Sequence, residues 1–127
     1  MMMLLALPAL AAVQAPAEQP ALTLSDVALH KGRWPFTGYY PDSAQRAGMS
    51  GQTTVLCRVA AAGVLADCRI EALEPQGYGF DGATLKLLAG ARTDETTRAG
   101  APTEGRLLRV SISFKVRRSG ETKVTPH

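Results

Sequence analysis

The chain lacks the residue clusters that most enzyme sites use. It has two histidines, His30 and His127, and neither lies in a nucleophile or metal motif. No HxxxH, CxxC or glycine-rich phosphate loop occurs in the sequence. These absences favour a protein that is not an enzyme and that uses no cofactor, metal or small-molecule substrate.

Concentrated positive charge is also missing. The net charge is +3, but Lys and Arg are spread along the chain and Arg117-Arg118 is the only basic doublet. Nucleic-acid binding usually needs a basic stripe or a recognisable module, so we do not expect a nucleic-acid partner.

The sequence has no apolar run of about 20 residues, the length that a membrane-spanning helix needs. The apolar run from Met3 to Val13 has instead the length of a signal-peptide core, and Val13-Gln14-Ala15 offers small residues for cleavage. We therefore expect residues 1–15 to be a signal peptide and the protein to be periplasmic. An uncleaved segment would associate it with the inner membrane.

Aromatic residues make up only 6% of the chain, so we expect a core built mainly from Val, Leu, Ile and Ala. Residues 16–38 begin with a stretch rich in Pro, Ala, Glu and Gln, which is typical of a flexible leader.

Alternation of apolar and polar side chains predicts three strands, over residues 53–60, 65–73 and 107–116. One helix between the second and third strands makes those two strands parallel. If the third strand lies beside the first, every neighbouring pair is antiparallel. The expected fold is therefore α+β, a three-stranded antiparallel sheet of order 2-1-3 with two helices packed on one face.

The two helices are predicted over residues 42–47 and 81–89. Pro41 suits the first turn of the shorter helix, because its missing N–H has no helical partner there. In the longer helix, Asp81 is expected to be the N-cap. Its buried face is expected to hold Leu85, Leu88 and Ala89.

The two cysteines, Cys57 and Cys68, leave three alternatives: a disulfide, two buried thiols, or a redox or metal site. Their spacing is unlike that of CxxC or zinc motifs. With a two-residue turn at Ala62-Gly63 they lie directly opposite each other on the core face. The parity of Leu65 indicates a bulge near the turn, which would shift this register by one position. The geometry and the exported context favour the disulfide.

Short motifs follow one another in a fixed order over residues 39–117. They are Tyr40-Pro41, Ala44-Gln45-Arg46, Gly48-Met49-Ser50-Gly51-Gln52, Gly63-Val64-Leu65, Pro75-Gln76-Gly77-Tyr78-Gly79-Phe80-Asp81, Gly100-Ala101-Pro102 and Val110-Ser111-Ile112-Ser113-Phe114. In this order the chain resembles the TonB C-terminal domain, and its cysteine pair is similar to that of a two-cysteine subgroup. The domain is expected over residues 39–117, with a tail over 118–127.

The resemblance implies an energy-transducer-like module in TonB-dependent transport, which binds peptide segments of outer-membrane receptors as an added strand. The implied binding edge is the third strand, at Arg106, Leu107, Leu108, Arg109, Val110, Ser111, Ile112 and Ser113. Tyr39, Tyr40 and Pro41 are flanking contacts at one end. Coupling to inner-membrane motor proteins would need an anchor supplied elsewhere.

Two alternatives stay open. The third-strand edge could be merely tolerated, protected by Arg109, Lys115 and the charged tail, as many exposed edges are. The other alternative is a periplasmic thiol-redox or sensor protein, which requires an accessible and easily reduced Cys57–Cys68 pair.

Overall fold

The computed structural model describes residues 19–34 and 39–127, so the expected signal peptide lies outside the described residues. The elements in chain order are β1 (Leu29–His30), α1 (Asp42–Arg46), β2 (Gly51–Val59), a short 3-10 turn (Ala61–Gly63), β3 (Leu65–Glu74), α2 (Phe80–Ala89), β4 (Arg92–Thr93), β5 (Leu107–Val116) and β6 (Thr122–Pro126).

The main sheet has the antiparallel order β3-β2-β5-β6, and β1 pairs with β4 in a separate two-stranded sheet. The expected α+β class and the central place of the first long strand are confirmed. The expectation of a three-stranded sheet is wrong, because residues 122–126 add a fourth strand beside β5. Val124 is the only aliphatic residue of β6, so the alternation that marks the longer strands is absent there.

The core lies on the face of the sheet that α2 covers. Alternate residues of β2 and β5 point into it and are fully buried. They are Val55, Cys57, Val59, Leu108, Val110, Ile112 and Phe114. Although aromatic residues are few, Tyr40, Phe80 and Phe114 meet at one end of this core, with ring centroids 4.9–5.8 Å apart. Ala44 of α1 belongs to the same core.

Helix α2 is rotated relative to the sequence-based prediction. Gly79, with a left-handed φ of 84°, is the N-cap, and Asp81 lies inside the first turn. Since Phe80 is the first helical residue and is fully buried, the residues that share its face are those three, four, seven and eight positions later. They are Ala83, Thr84, Leu87 and Leu88. Leu88 was predicted correctly, whereas Leu85 and Ala89 are exposed.

The β2–β3 hairpin carries the expected disulfide and the expected bulge. Cys57 and Cys68 are bonded, with their Cα atoms 4.0 Å apart. The register between β2 and β3 shifts at this point and shifts again near Thr54. Both turn residues, Ala62 and Gly63, have positive φ. A Cβ at Gly63 would lie 2.0 Å from the Thr93 carbonyl oxygen, so this turn requires glycine.

Removing the disulfide is expected to lower the free energy of unfolding by roughly 3 kcal/mol, because it closes a loop of about 12 residues in the unfolded chain. Denaturant unfolding of the oxidised protein and of the Cys57→Ala/Cys68→Ala variant measures this difference. Thiol labelling of the unfolded, non-reduced protein is the control. Two reactive thiols there would contradict the bond.

The rotation of α2 predicts unequal effects for two leucines. Leu87 is fully buried, so Leu87→Ala should lower the free energy of unfolding by about 2–5 kcal/mol by leaving a cavity. Leu85 is 40% exposed, and the matched Leu85→Ala variant should change the free energy of unfolding by less than about 1 kcal/mol. If urea titrations show that both variants lose the same free energy of unfolding, the face of α2 that includes Leu87 is not the one that packs against the core.

Candidate functional site

Strand β5 pairs with β2 over residues 107–114 without a register shift, from Arg58–Leu107 to Gly51–Phe114. In such a regular antiparallel ladder, alternate residues direct both backbone polar groups to the same neighbour. Arg109 and Ser111 direct theirs away from β2, as their bonds to other segments show. The outer edge of β5 therefore presents Arg109, Ser111, Ser113 and Lys115.

The first half of this outer edge is paired with residues that precede the domain. Leu22 lies parallel to β5, with its N–H donating to the Leu107 carbonyl oxygen at 2.7 Å. Its own carbonyl oxygen accepts from the Arg109 N–H at 2.8 Å. Leu22 and Val27 are buried, and the Arg106 guanidinium donates to the Pro20 carbonyl oxygen. Residues within the expected leader thus pack against the sheet.

The second half of the edge is paired with the end of the chain. Strand β6 runs antiparallel to β5, with Val124 opposite Phe114 and Thr125 opposite Ser113. The pairing continues to His127, which exchanges both backbone hydrogen bonds with Ser111, at 2.9 and 2.6 Å. The His127 Nε2 atom also lies 2.7 Å from the Ser113 hydroxyl. Sequence reasoning gave His127 no role, since a single terminal histidine has no pattern.

Of the three expected flanking residues, Tyr39 hydrogen-bonds to β6. Its hydroxyl lies 2.5 Å from the Thr122 hydroxyl and 3.2 Å from the Thr122 carbonyl oxygen. Tyr40 is buried and donates to the Met49 carbonyl oxygen. Burial raises the pKa of the Tyr40 phenol, and the Ser50 hydroxyl partly opposes this. Pro41 is the N-cap of α1. Tyr40 and Pro41 therefore have structural positions next to Tyr39, Tyr40 in the core and Pro41 at the start of α1.

An ion pair fixes the side chain of Arg109 on the helix-free face of the sheet. The guanidinium donates twice to the Glu71 carboxylate of β3, at 2.6 and 3.2 Å. These bonds hold the pKa of Glu71 below its ordinary value and raise the pKa of Arg109. Leu56, which lies between β3 and β5 at this level, is only 6% exposed.

The remaining polar groups offer little for chemistry. Within residues 19–34 and 39–127, no cluster of three metal-ligating side chains is found. His30 pairs with Asp94 at 2.6 Å on the exposed surface, far along the chain from the β5 edge. Both cysteines of the sequence are in the disulfide, and Cys57 is fully buried. Thiol exchange could therefore start only at Cys68, which is partly exposed.

The fold and this edge define a small α+β domain with a four-stranded antiparallel sheet. The sequence matches the family described as Gram-negative bacterial TonB protein C-terminal over residues 38–121, and the chain belongs to this family. It is a family of protein-interaction and transport-energy domains, not an enzyme family. No curated protein sequence matches the chain.

The family assignment implies protein partners, such as outer-membrane receptors, and an association with the cell envelope. No helix among the described residues is long and apolar enough to cross a membrane. Both segments on the outer edge of β5, Leu22 and β6, lie outside the matched residues 38–121.

The Glu71–Arg109 pair predicts a pH-dependent stability difference. A lowered folded-state pKa stabilises the fold above the unfolded-state value, and this contribution is lost as the pH falls through the folded-state value. Glu71→Gln should therefore lower the urea midpoint slightly at pH 7, and this difference from the wild type should shrink as the pH falls below the ordinary glutamate pKa of about 4.3.

Glu74→Gln is the matched control, because it removes the same charge from β3 at an exposed position. If both variants lose the same amount at pH 7, the bond to Arg109 contributes nothing beyond net charge.

Proposed function

We propose that this protein is an exported, periplasmic TonB-type module that binds extended peptide segments of outer-membrane transport receptors by strand addition at β5. One observation carries the proposal: the outer edge of β5 already holds two other parts of its own chain, Leu22 through a single parallel bridge and β6 as an antiparallel strand. The edge therefore has the geometry that an added peptide strand needs.

The two edges of the β3-β2-β5 core differ in regularity. Strand β3 is bent by register shifts at two points and presents Asp67, Arg69 and Glu71 to solvent. Bulges and charges of this kind discourage strand addition. Strand β5 keeps one register with β2 over residues 107–114. A partner strand is therefore better accommodated on β5.

The proposed site keeps the residues expected from the sequence, Arg106 to Ser113. The outward N–H groups of Arg109 and Ser111, with the Leu107 carbonyl oxygen, would bond the peptide backbone. The side chains between them are anchored in the core and keep the edge straight. They are Leu108, Val110 and Ile112. Main-chain bonds would supply affinity, while Tyr39 and Arg109 would select among partners.

A peptide on this edge would replace the segments that occupy it. Leu22 contributes two backbone bonds, and each such bond is worth only about 1 kcal/mol net because water competes for the same groups. Exchange of one strand for another conserves the number of backbone bonds, but the buried Leu22 side chain also leaves the core, so a partner must bury an apolar side chain in its place. We propose that this exchange serves TonB-dependent transport, in which coupling to an inner-membrane motor would need an anchor supplied elsewhere.

Proline at Ser111 tests the proposal, because the N–H of Ser111 points outward to His127 and not to β2. Ser111→Pro should leave the domain folded and weaken binding of synthetic peptides from the N-terminal segments of TonB-dependent receptors by about tenfold or more. Ser111→Ala keeps the N–H and should bind like the wild type. Chemical-shift titrations by NMR measure both.

Peptides that bind neither the wild type nor Ser111→Ala would rule out receptor recognition at this edge. If peptides bind to Ser111→Pro as well as to the wild type and leave β6 in place, the binding site lies elsewhere. The β5 edge is then covered by its own chain and has no role in binding.

A further inference from the structure

Strand β6 occupies the second half of the β5 edge in a definite side-chain register. Thr122, Val124 and Pro126 lie opposite Val116, Phe114 and Ile112 of β5. Phe114 and Ile112 are fully buried, and Val124 packs against the core that contains them. The alternate residue Lys123 is exposed on the other side of the strand.

We infer that β6 is a built-in occupant of the partner site, and that its side-chain pattern is the one this edge selects in a partner strand. The pattern is a hydroxyl residue beside Tyr39, an aliphatic residue two positions later opposite Phe114, and no requirement at the residue between them. The inference rests on the proposed function, because β6 covers the second half of that edge and overlaps the proposed site at residues 111–113.

The aliphatic position follows from the ladder geometry. The Ser111–His127 pair exchanges both hydrogen bonds, so the pairs at odd positions of β5 are hydrogen-bonded and Phe114–Val124 is not. In non-hydrogen-bonded pairs the opposite side chains approach most closely. A charged residue opposite the buried Phe114 ring would lose water without gaining a partner, which is costly.

The hydroxyl position follows from Tyr39. This side chain contacts Thr122 through both the hydroxyl and the carbonyl oxygen. A serine or threonine at this place in a partner strand reproduces both contacts, whereas an aliphatic residue keeps only the contact to the carbonyl oxygen.

Strand β6 is the outermost strand of its sheet, so we expect that it can leave while the pairing of β3, β2 and β5 is kept. It follows β5 through a tight turn, in which the Arg117 N–H donates to the Glu121 carbonyl oxygen and Gly120 has a φ of 85°. Its backbone pairs with β5 alone. Pro126 is at a position whose nitrogen faces away from β5, so it interrupts no bond and discourages a further strand. β6 thus ends the sheet and competes with a partner.

The test uses a chain that ends at Glu121 and a synthetic peptide with the sequence of residues 120–127. NMR titration should show saturable binding, with the largest shifts at the amides of Ser111, Ser113 and Lys115. The Val124→Asp peptide should bind about tenfold more weakly or worse, and the Thr122→Val peptide more weakly as well. The matched Lys123→Ala peptide should bind like the original.

Failure of the original peptide to bind a folded, shortened chain would overturn the inference, and so would equal affinity of the Val124→Asp peptide. If the shortened chain does not fold, the full chain with Lys123→Pro replaces it. The N–H of Lys123 points toward β5 in this register, so proline should release the tail, whereas Lys123→Ala should not. The inference is also overturned if the Lys123→Pro chain unfolds, or if it folds and does not bind the tail peptide.

The outcome is separate from that of the receptor experiment. Binding of the tail peptide without binding of receptor peptides would keep the side-chain pattern and reject the receptor as partner. In the reverse case the receptor site stands, and β6 is a structural strand only.

Discussion

The backbone polar groups on the outer side of β5 must be paired with something. The position of the strand is fixed, because alternate side chains of β5 are buried in the core and its register with β2 is unbroken. These buried residues are Leu108, Val110, Ile112 and Phe114. Residues before and after the family-matched region meet the requirement, Leu22 at one end and β6 at the other. The same unpaired groups that would endanger an exposed edge make it a site for an added strand.

Local patterns predicted the elements that bury a full face. The alternation in β2 and β5 predicted both strands, and the single helix between β3 and β5 predicted the strand order. The odd parity of Leu65 predicted a bulge near the turn, and the structure has it beside Cys68. The buried face of α2 differs from the predicted one, because the helix begins at Phe80 and not at Asp81. Phe80 packs against Tyr40 and Phe114, and this tertiary contact places the helix start at Phe80. The position of the helix start decides that Leu87 is buried and Leu85 is exposed.

The candidate site was predicted only as an edge. The side of β5 that faces the core could be predicted because apolar residues alternate there. The segments that cover its outer edge, Leu22 and β6, could not be predicted. Leu22 makes a single bridge, and β6 has one aliphatic side chain, so neither has a periodic signal. Their positions depend on contacts between distant parts of the chain, such as Tyr39 with Thr122 and Ser113 with His127. The sequence order of these residues carries no information about such pairing.

Amide hydrogen exchange along β5 measures the central claim, that its outer edge opens and accepts strands while the sheet remains folded. The amides of Val110 and Ile112 point to β2, and those of Ser111, Ser113 and Lys115 point to the segments that cover the edge. We expect the outward amides to exchange through local opening of β6, faster than the inward amides by at least an order of magnitude. Equal exchange of inward and outward amides, at the rate of global unfolding, would show that β6 never leaves the folded domain and would contradict the account.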